Sequence, residues 1–130
     1  MSAEKHKALV HRFFDEAWNQ GNLDIVDELV APDYLLHAYS EDEAFGSGAD
    51  GLKQLIASSR EWFPEGHITI EDQIAESDKV VTRWTSQNTP TATSKGIWIH
   101  RLDGDKIVEA WVDWDRLGLF RQLGMIADKS

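Results

Sequence analysis

The sequence predicts an α+β domain, with three helices first and then a curved antiparallel sheet that folds over them. A change of period carries that prediction. Apolar residues recur at helical spacing as far as Phe63, and between His67 and Asp115 they alternate with polar ones. With 130 residues and 42% hydrophobic content the chain suits one core, so residues 1–130 are read as a single domain. Strongly twisted, such a sheet can curl around the helices and leave a cavity between the two layers.

The first helix is expected over about residues 3–19, where Leu9 or Val10, Phe13, Phe14, Ala17 and Trp18 share one face. Gly21 ends it. Asn22 caps a short second helix carrying Ile25, Val26 and Leu29, and Ala31-Pro32 stops that helix. Residues 33–39 read as a short strand, and the acidic, glycine-containing run 40–48 as a mobile loop able to cover a site. A third helix over 49–63 is expected to bury Leu52, Leu55, Ile56, Ser59, Trp62 and Phe63, and Pro64-Glu65-Gly66 closes it.

Four strands follow. Residues 67–76 alternate Ile68, Ile70, Asp72 and Ile74, and residues 79–88 alternate Val80, Thr82, Trp84 and Ser86. Strands over 95–102 and 106–115 complete the meander, with turns at Ser77-Asp78 and Asp103-Gly104-Asp105. A short amphipathic helix bearing Leu117, Phe120 and Leu123 comes last.

Charge and composition exclude several classes. The net charge is -10, from 23 acids against 13 lysines and arginines, and the bases are scattered. A phosphate backbone or an anionic membrane surface needs a basic patch, so neither is an expected partner. No cysteine is present, which rules out disulfides, thiolate metal sites and cysteine nucleophiles. His6 and His11 miss the i, i+4 spacing of a helical zinc pair, and no metal or cofactor motif appears elsewhere. The segment MSAEKHKALVHRFF lacks the apolar run of a signal peptide, and the expected location is cytoplasmic.

The closing strand carries the most chemistry. Ile107, Glu109, Trp111, Asp113 and Asp115 fall on one face; Val108, Ala110, Val112 and Trp114 fall on the other. Asp115 stands where the strand stops and the last helix begins. A carboxylate beside aromatics at such a junction can have its pKa raised by desolvation, and Asp113 nearby could add like-charge repulsion. An aspartate before a helix is also a common N-cap, and both roles stay open.

This order of elements resembles the SnoaL-like polyketide cyclase family of the NTF2-like superfamily. The resemblance rests on Tyr34-Leu-Leu-His37, Gly48-Ala-Asp-Gly51-Leu-Lys, Trp62-Phe63-Pro64 and Ile74-Ala-Glu-Ser-Asp78-Lys-Val80-Val81-Thr-Arg83. Its most specific part is Gly104-Asp-Lys-Ile107-Val-Glu109-Ala-Trp111-Val-Asp-Trp-Asp115 with Leu117-Gly118-Leu-Phe-Arg-Gln122-Leu123-Gly124. It implies a cone-shaped α+β barrel: three N-terminal helices packed on a curved antiparallel sheet that encloses one deep pocket. It also implies a dimer formed through the sheet, for which the apolar face of Val108, Val112 and Trp114 is available. Family cyclases close a carbocycle by intramolecular aldol condensation with no metal or organic cofactor. Their Trp-x-x-x-Asp aspartate serves as acid/base, and that pattern falls here on Trp111 and Asp115. One departure is large. The family's long hairpin, with its Gly-Thr-His element and Pro-Thr-Gly turn, is replaced by TSQNTPTATSKG at 85–96, so the pocket mouth should differ.

The candidate catalytic residues are therefore Asp115, with His100 and His37 as polarising partners. Six tryptophans are many for this length, and indoles suit the wall of a cavity for a flat hydrophobic ligand. Phe14, Trp18 and Trp62 are the leading wall candidates, joined by Trp84, Trp98 and Trp111. Arg83, in a central strand, is expected to form an ion pair. The expected function is cofactor-independent acid/base chemistry on a hydrophobic carbonyl compound, in a homodimer. Isomerisation or epoxide hydrolysis on the same fold, or a non-catalytic binding module, are the alternatives.

Overall fold

The computed structural model describes residues 2–38 and 47–126. The loop expected over 40–48 lies for the most part outside the described residues. Helix α1 (Ala3–Arg12) begins at Ser2, whose hydroxyl accepts the Lys5 N–H, and runs without a break into a π-helical segment, Phe13–Asn19. The wider turn of a π-helix lets neighbouring residues face one side together. Phe13, Phe14 and Ala17 are all buried there, with Trp18 packed beside them. Helix α2 (Asp24–Leu29) buries Ile25, Val26 and Leu29, and Asn22 Oδ1 accepts the Asp24 N–H at its start. Helix α3 (Gly48–Trp62) buries Ala49, Leu52 and Ile56.

Five strands form one open sheet: β1 (Val30–His37), β2 (His67–Glu76), β3 (Lys79–Thr89), β4 (Ala92–Asp103) and β5 (Lys106–Trp114). Their order is β1-β5-β4-β3-β2, antiparallel except that β1 runs parallel to β5. The sheet is curved but not closed, and the helices cover its inner face. Helix α4 (Arg116–Gln122) follows β5 directly. The 85–96 segment forms the tip of the β3–β4 hairpin, reduced to a tight turn at Pro90 and Thr91.

Two bulges break the strict alternation read from the sequence. Glu71 is extra in β2, between the pairs Ile70–Trp84 and Asp72–Arg83. Because a bulge shifts the face of every later residue, Ile68 and Ile70 pack inward while Ile74 is turned out, 68% exposed. Val108 is extra in β5, so Ile107 is fully buried although Glu109 faces outward. Beyond that bulge, Ala110, Val112 and Trp114 point inward. The apolar face assigned to a dimer contact is therefore mostly an inner face: Val112 and Trp114 pack against the core.

Candidate functional site

A cavity of about 180 Å³ lies between the helices and the inner face of the sheet. Its apolar wall comes from Trp84, Trp98 and Trp114 on the sheet, Trp18 from the π-helical segment, and Leu55 and Phe63 from the α3 region. Trp84 and Trp114 flank Gly96 in one cross-strand row, their rings 6.5 Å apart. Gly96 is required between them, because a Cβ there would collide with the Asp113 carbonyl and with Trp114 Cβ. Trp18 meets Trp98 edge-on at 6.3 Å.

Polar groups converge on the same space. The β3–β4 hairpin supplies Ser86, Asn88 and Ser94, and the Ser94 hydroxyl donates to Asn88 Oδ1 at 2.8 Å. That leaves the Asn88 amide N–H groups free of protein acceptors among the described residues. Trp84 is nine-tenths buried, and its indole N–H has no partner among them either. Arg60 from α3 donates through Nη1 to the Trp18 and Asn19 carbonyls, at 2.9 and 2.7 Å. It lies against Gly21, whose left-handed φ of 70° and missing side chain make room for the guanidinium. Arg116 opens α4 with its guanidinium 5.9 Å from the Trp114 ring and 5.8 Å from that of Phe120. Among the described residues no Asp, Glu or His lines this cavity.

Asp115 is placed elsewhere. Since Trp114 points inward, the next side chain points outward, where Asp115 is exposed and borders a shallow groove with Lys95, Ile97 and Trp111. Its carboxylate caps α4, accepting the Gly118 N–H at 2.9 Å. A Cβ at Gly118 would strike that carboxylate. Gln122 then docks the helix on β4, accepting from Thr93 N–H at 2.9 Å and donating to the Thr93 carbonyl at 2.8 Å. Asp115, Gly118 and Gln122 of the C-terminal motif thus act together to fix α4, and with it Arg116. Strand parity thus puts Asp115, the candidate acid/base, outside the cavity and in the N-cap role.

The two histidines also differ from expectation. His100 is fully buried behind the cavity, stacked on Trp98 at 5.0 Å and met edge-on by Phe13 and Phe14 at 5.4 and 5.5 Å. Both ring nitrogens lack partners among the described residues, and burial lowers its pKa to about 3, so the ring is neutral. His37 alternates with cavity-lining Leu36 and Ala38 and so faces outward. There it stacks on Trp111 at 5.2 Å and meets Glu109 at 2.7 Å, while Arg101 donates to the other Glu109 oxygen at 3.0 Å. The hydrogen bond from His37, then that from Arg101, holds the Glu109 carboxyl below its ordinary range.

Of the six expected wall residues, Trp18, Trp84 and Trp98 line the cavity. Phe14 is core behind Trp98, at 6.2 Å from it. Trp111 is on the outer face. Trp62 is 71% exposed, roughly a quarter-turn off the stripe that Leu52, Ile56 and Ser59 define. Trp114, Asn88, Ser94, Arg60 and Arg116 were not singled out as site residues. Inward parity in β5 could have flagged Trp114, but nothing local marked the others. Arg83 is paired on the outer face with Asp72, at 2.6 and 2.9 Å.

An open, curved sheet wrapped on three helices around an internal cavity is the NTF2-like α+β class. The family model for SnoaL-like polyketide cyclases matches residues 8–123, and the chain belongs to that family. A candidate polyketide cyclase from Bacillus cereus ATCC 10987 is 27% identical, with a TM-score of 0.83 over 95% of this chain and 83% of that one. Another from Acidithiobacillus ferrooxidans is 26% identical, with a TM-score of 0.81 over 98% of this chain and 100% of that one. AclR, a candidate hydroxylase from Streptomyces galilaeus, shares the fold at 23% identity, with a TM-score of 0.80 over 99% and 91% of the two chains. No curated protein matches the sequence. Among the described residues no helix is long and apolar enough to cross a membrane, and no group of potential metal ligands occurs.

Proposed function

We propose that this chain holds a flat, hydrophobic carbonyl compound in the tryptophan-walled cavity and steers it toward intramolecular aldol closure. One observation carries the proposal: the wall combines four indoles with neutral and cationic donors, and no carboxylate or imidazole of the described residues joins them. Donors of that kind stabilise an oxygen on which negative charge develops. A methylene between two carbonyls is acidic enough to lose its proton to water once its enolate oxygen is held by such donors. The enolate carbon then attacks a second carbonyl of the folded chain, and the resulting alkoxide takes a proton back from water. Catalysis in this form is orientation plus enolate stabilisation, and needs neither metal nor organic cofactor.

The absence of a carboxylate and an imidazole from the described cavity wall also favours a second reading, a binding module without turnover. One experiment separates them. An aromatic triketone is added, tryptophan fluorescence reports binding, and absorbance of the closed ring reports turnover. Quenching with accelerated ring closure supports the cyclase. Quenching with closure at the buffer rate supports the binding module. No quenching by any flat aromatic ketone removes both.

The proposal includes a homodimer, with the contact on the outer face of the sheet, where Ile97 is 45% exposed beside Ile99 and Trp111. Light scattering that gave a monomer at micromolar concentration would remove it. It also includes a cytoplasmic location, which fractionation of the native host would test.

A further inference from the structure

Arg60 is a cation set into the cavity wall, with no anion among the described residues to answer it. Its Nη1 is committed to the Trp18 and Asn19 carbonyls, which are neutral, and Gly21 packs beneath the guanidinium. Among the described residues no carboxylate lies within ion-pair distance of it. In a chain with 23 acids and 13 lysines and arginines, a cavity wall that holds Arg60 and none of the described Asp and Glu segregates charge. Partly buried guanidinium groups are normally matched by a carboxylate, because desolvating an unpaired charge is unfavourable. The remaining donors of Arg60 are a fork suited to an anionic oxygen pair. Among the described residues the Trp18 and Trp84 indoles and the Asn88 amide on the same wall also have no acceptor.

We infer that the ligand of this cavity is a flat conjugated acid bound as its anion, with the anionic oxygen on Arg60 and the ring system among the tryptophans. This deepens the proposed function and rests on its premise that the cavity binds a flat ligand. Arg60 is a specificity-determining residue: it selects ionised over neutral ligands of the same shape. The same contact would stabilise an enolate formed within the cavity, so selection and chemistry draw on one charge.

One isosteric pair and one pair on a common ring system test it. 2-Naphthoate is compared with 2-naphthamide, and the enolate of 1,3-indanedione at alkaline pH with neutral 1-indanone, by tryptophan quenching and calorimetry on the full chain. The expected result is that each anion binds about ten- to hundredfold more tightly than its neutral partner, as a charge-assisted hydrogen bond provides. Whichever anion is preferred identifies carboxylate or enolate as the matched group. In Arg60→Gln the preference should fall to within about twofold, while the neutral ligands keep their affinity. Arg60→Gln could fail to fold, since Arg60 holds two backbone carbonyls. The Arg60 Nε–H resonance of the unaltered protein therefore carries the same test, shifting with naphthoate and not with naphthamide. Equal binding of anion and amide overturns the inference and leaves the cavity reading standing. A preference lost in Arg116→Gln but kept in Arg60→Gln also overturns it. If no flat ligand binds at all, both fall together.

Discussion

On the inner face of the sheet Trp84, Trp98, Val112 and Trp114 stand beside Ser86 and Ser94, while Arg83, Arg101, Glu109 and Asp113 occupy the outward positions of the same strands. Inside, carboxylates are absent among the described residues, and the imidazole of His100 is kept neutral by burial. Outside, the ionisable groups pair with each other, as in His37–Glu109–Arg101 and Asp72–Arg83. Among the described residues, charged carboxylates and the cavity are therefore on opposite sides of one layer. The described cavity wall presents aromatic faces and donors rather than carboxylates or imidazoles.

Removing one tryptophan from each face should affect stability very differently. Trp98 is 4% exposed and touches Phe14, Trp18 and His100. Trp98→Ala should cost about 3–5 kcal/mol in urea unfolding, as loss of a large buried aromatic does. Trp111→Ala, which removes a half-buried ring stacked on His37, should cost about 1 kcal/mol. Equal losses would mean that the two faces do not differ in packing.

Element order, the faces of α1 and β3, and Gly21 as a helix stop follow from period and punctuation, which are local properties. Ile74 and Ile107 were misplaced, because a one-residue bulge leaves no reliable mark in a sequence yet reverses everything beyond it. For Glu109 to Asp115 the grouping into faces was right. Which face is inner was not evident, since the acidic face also carries Trp111. Chemical type and family position make His37 and Asp115 catalytic candidates, whereas alternation along their strands turns both out of the cavity. Arg60 depends on a long-range meeting of α3 with the Trp18–Asn19 backbone, which no local pattern encodes.

A pH titration separates the faces next. His100 has its pKa lowered to about 3 by burial, against 6.5 in the unfolded chain. The unfolded state therefore binds a proton first as pH falls, so the buried His100 ring destabilises the fold progressively between pH 6.5 and 3. At pH 5 the loss relative to pH 8 should be about 2 kcal/mol. His100→Phe should flatten the stability profile across that window. The outer Glu109 acts lower: its depressed carboxyl stabilises the fold above the ordinary value of 4.5, and that contribution disappears as pH falls through the folded pKa. If His100→Phe leaves the slope unchanged, the ring is not buried neutral.

Gly118→Ala probes the link between the faces, because α4 is capped from outside by Asp115 and delivers Arg116 inside. A Cβ at this position displaces the capping carboxylate. The expected loss is about 1 kcal/mol, with a measurable change in Trp114 fluorescence as Arg116 shifts on its ring. A variant as stable as the parent would show that the cap does not hold the helix.

The smallest expected effect decides the most. Asp115→Asn retains nearly the same volume and an oxygen able to accept the Gly118 N–H, so stability should change by less than about 0.5 kcal/mol. Asp115→Ala, which removes the acceptor, should cost about 1 kcal/mol. If enolate stabilisation inside the cavity drives ring closure, Asp115→Asn should also keep its rate and the pH profile of that rate. A carboxylate acting as general base would behave differently. Its amide would lower kcat by about 10²–10⁴-fold with ligand affinity intact, because an amide exchanges no proton near neutrality. That outcome, with unchanged stability, would require the carboxylate to leave its cap and reach the cavity during turnover, and would end the separation of the two faces. Stability and ligand affinity measured beside the rate tell these apart: a cap effect moves stability, a base effect moves only kcat.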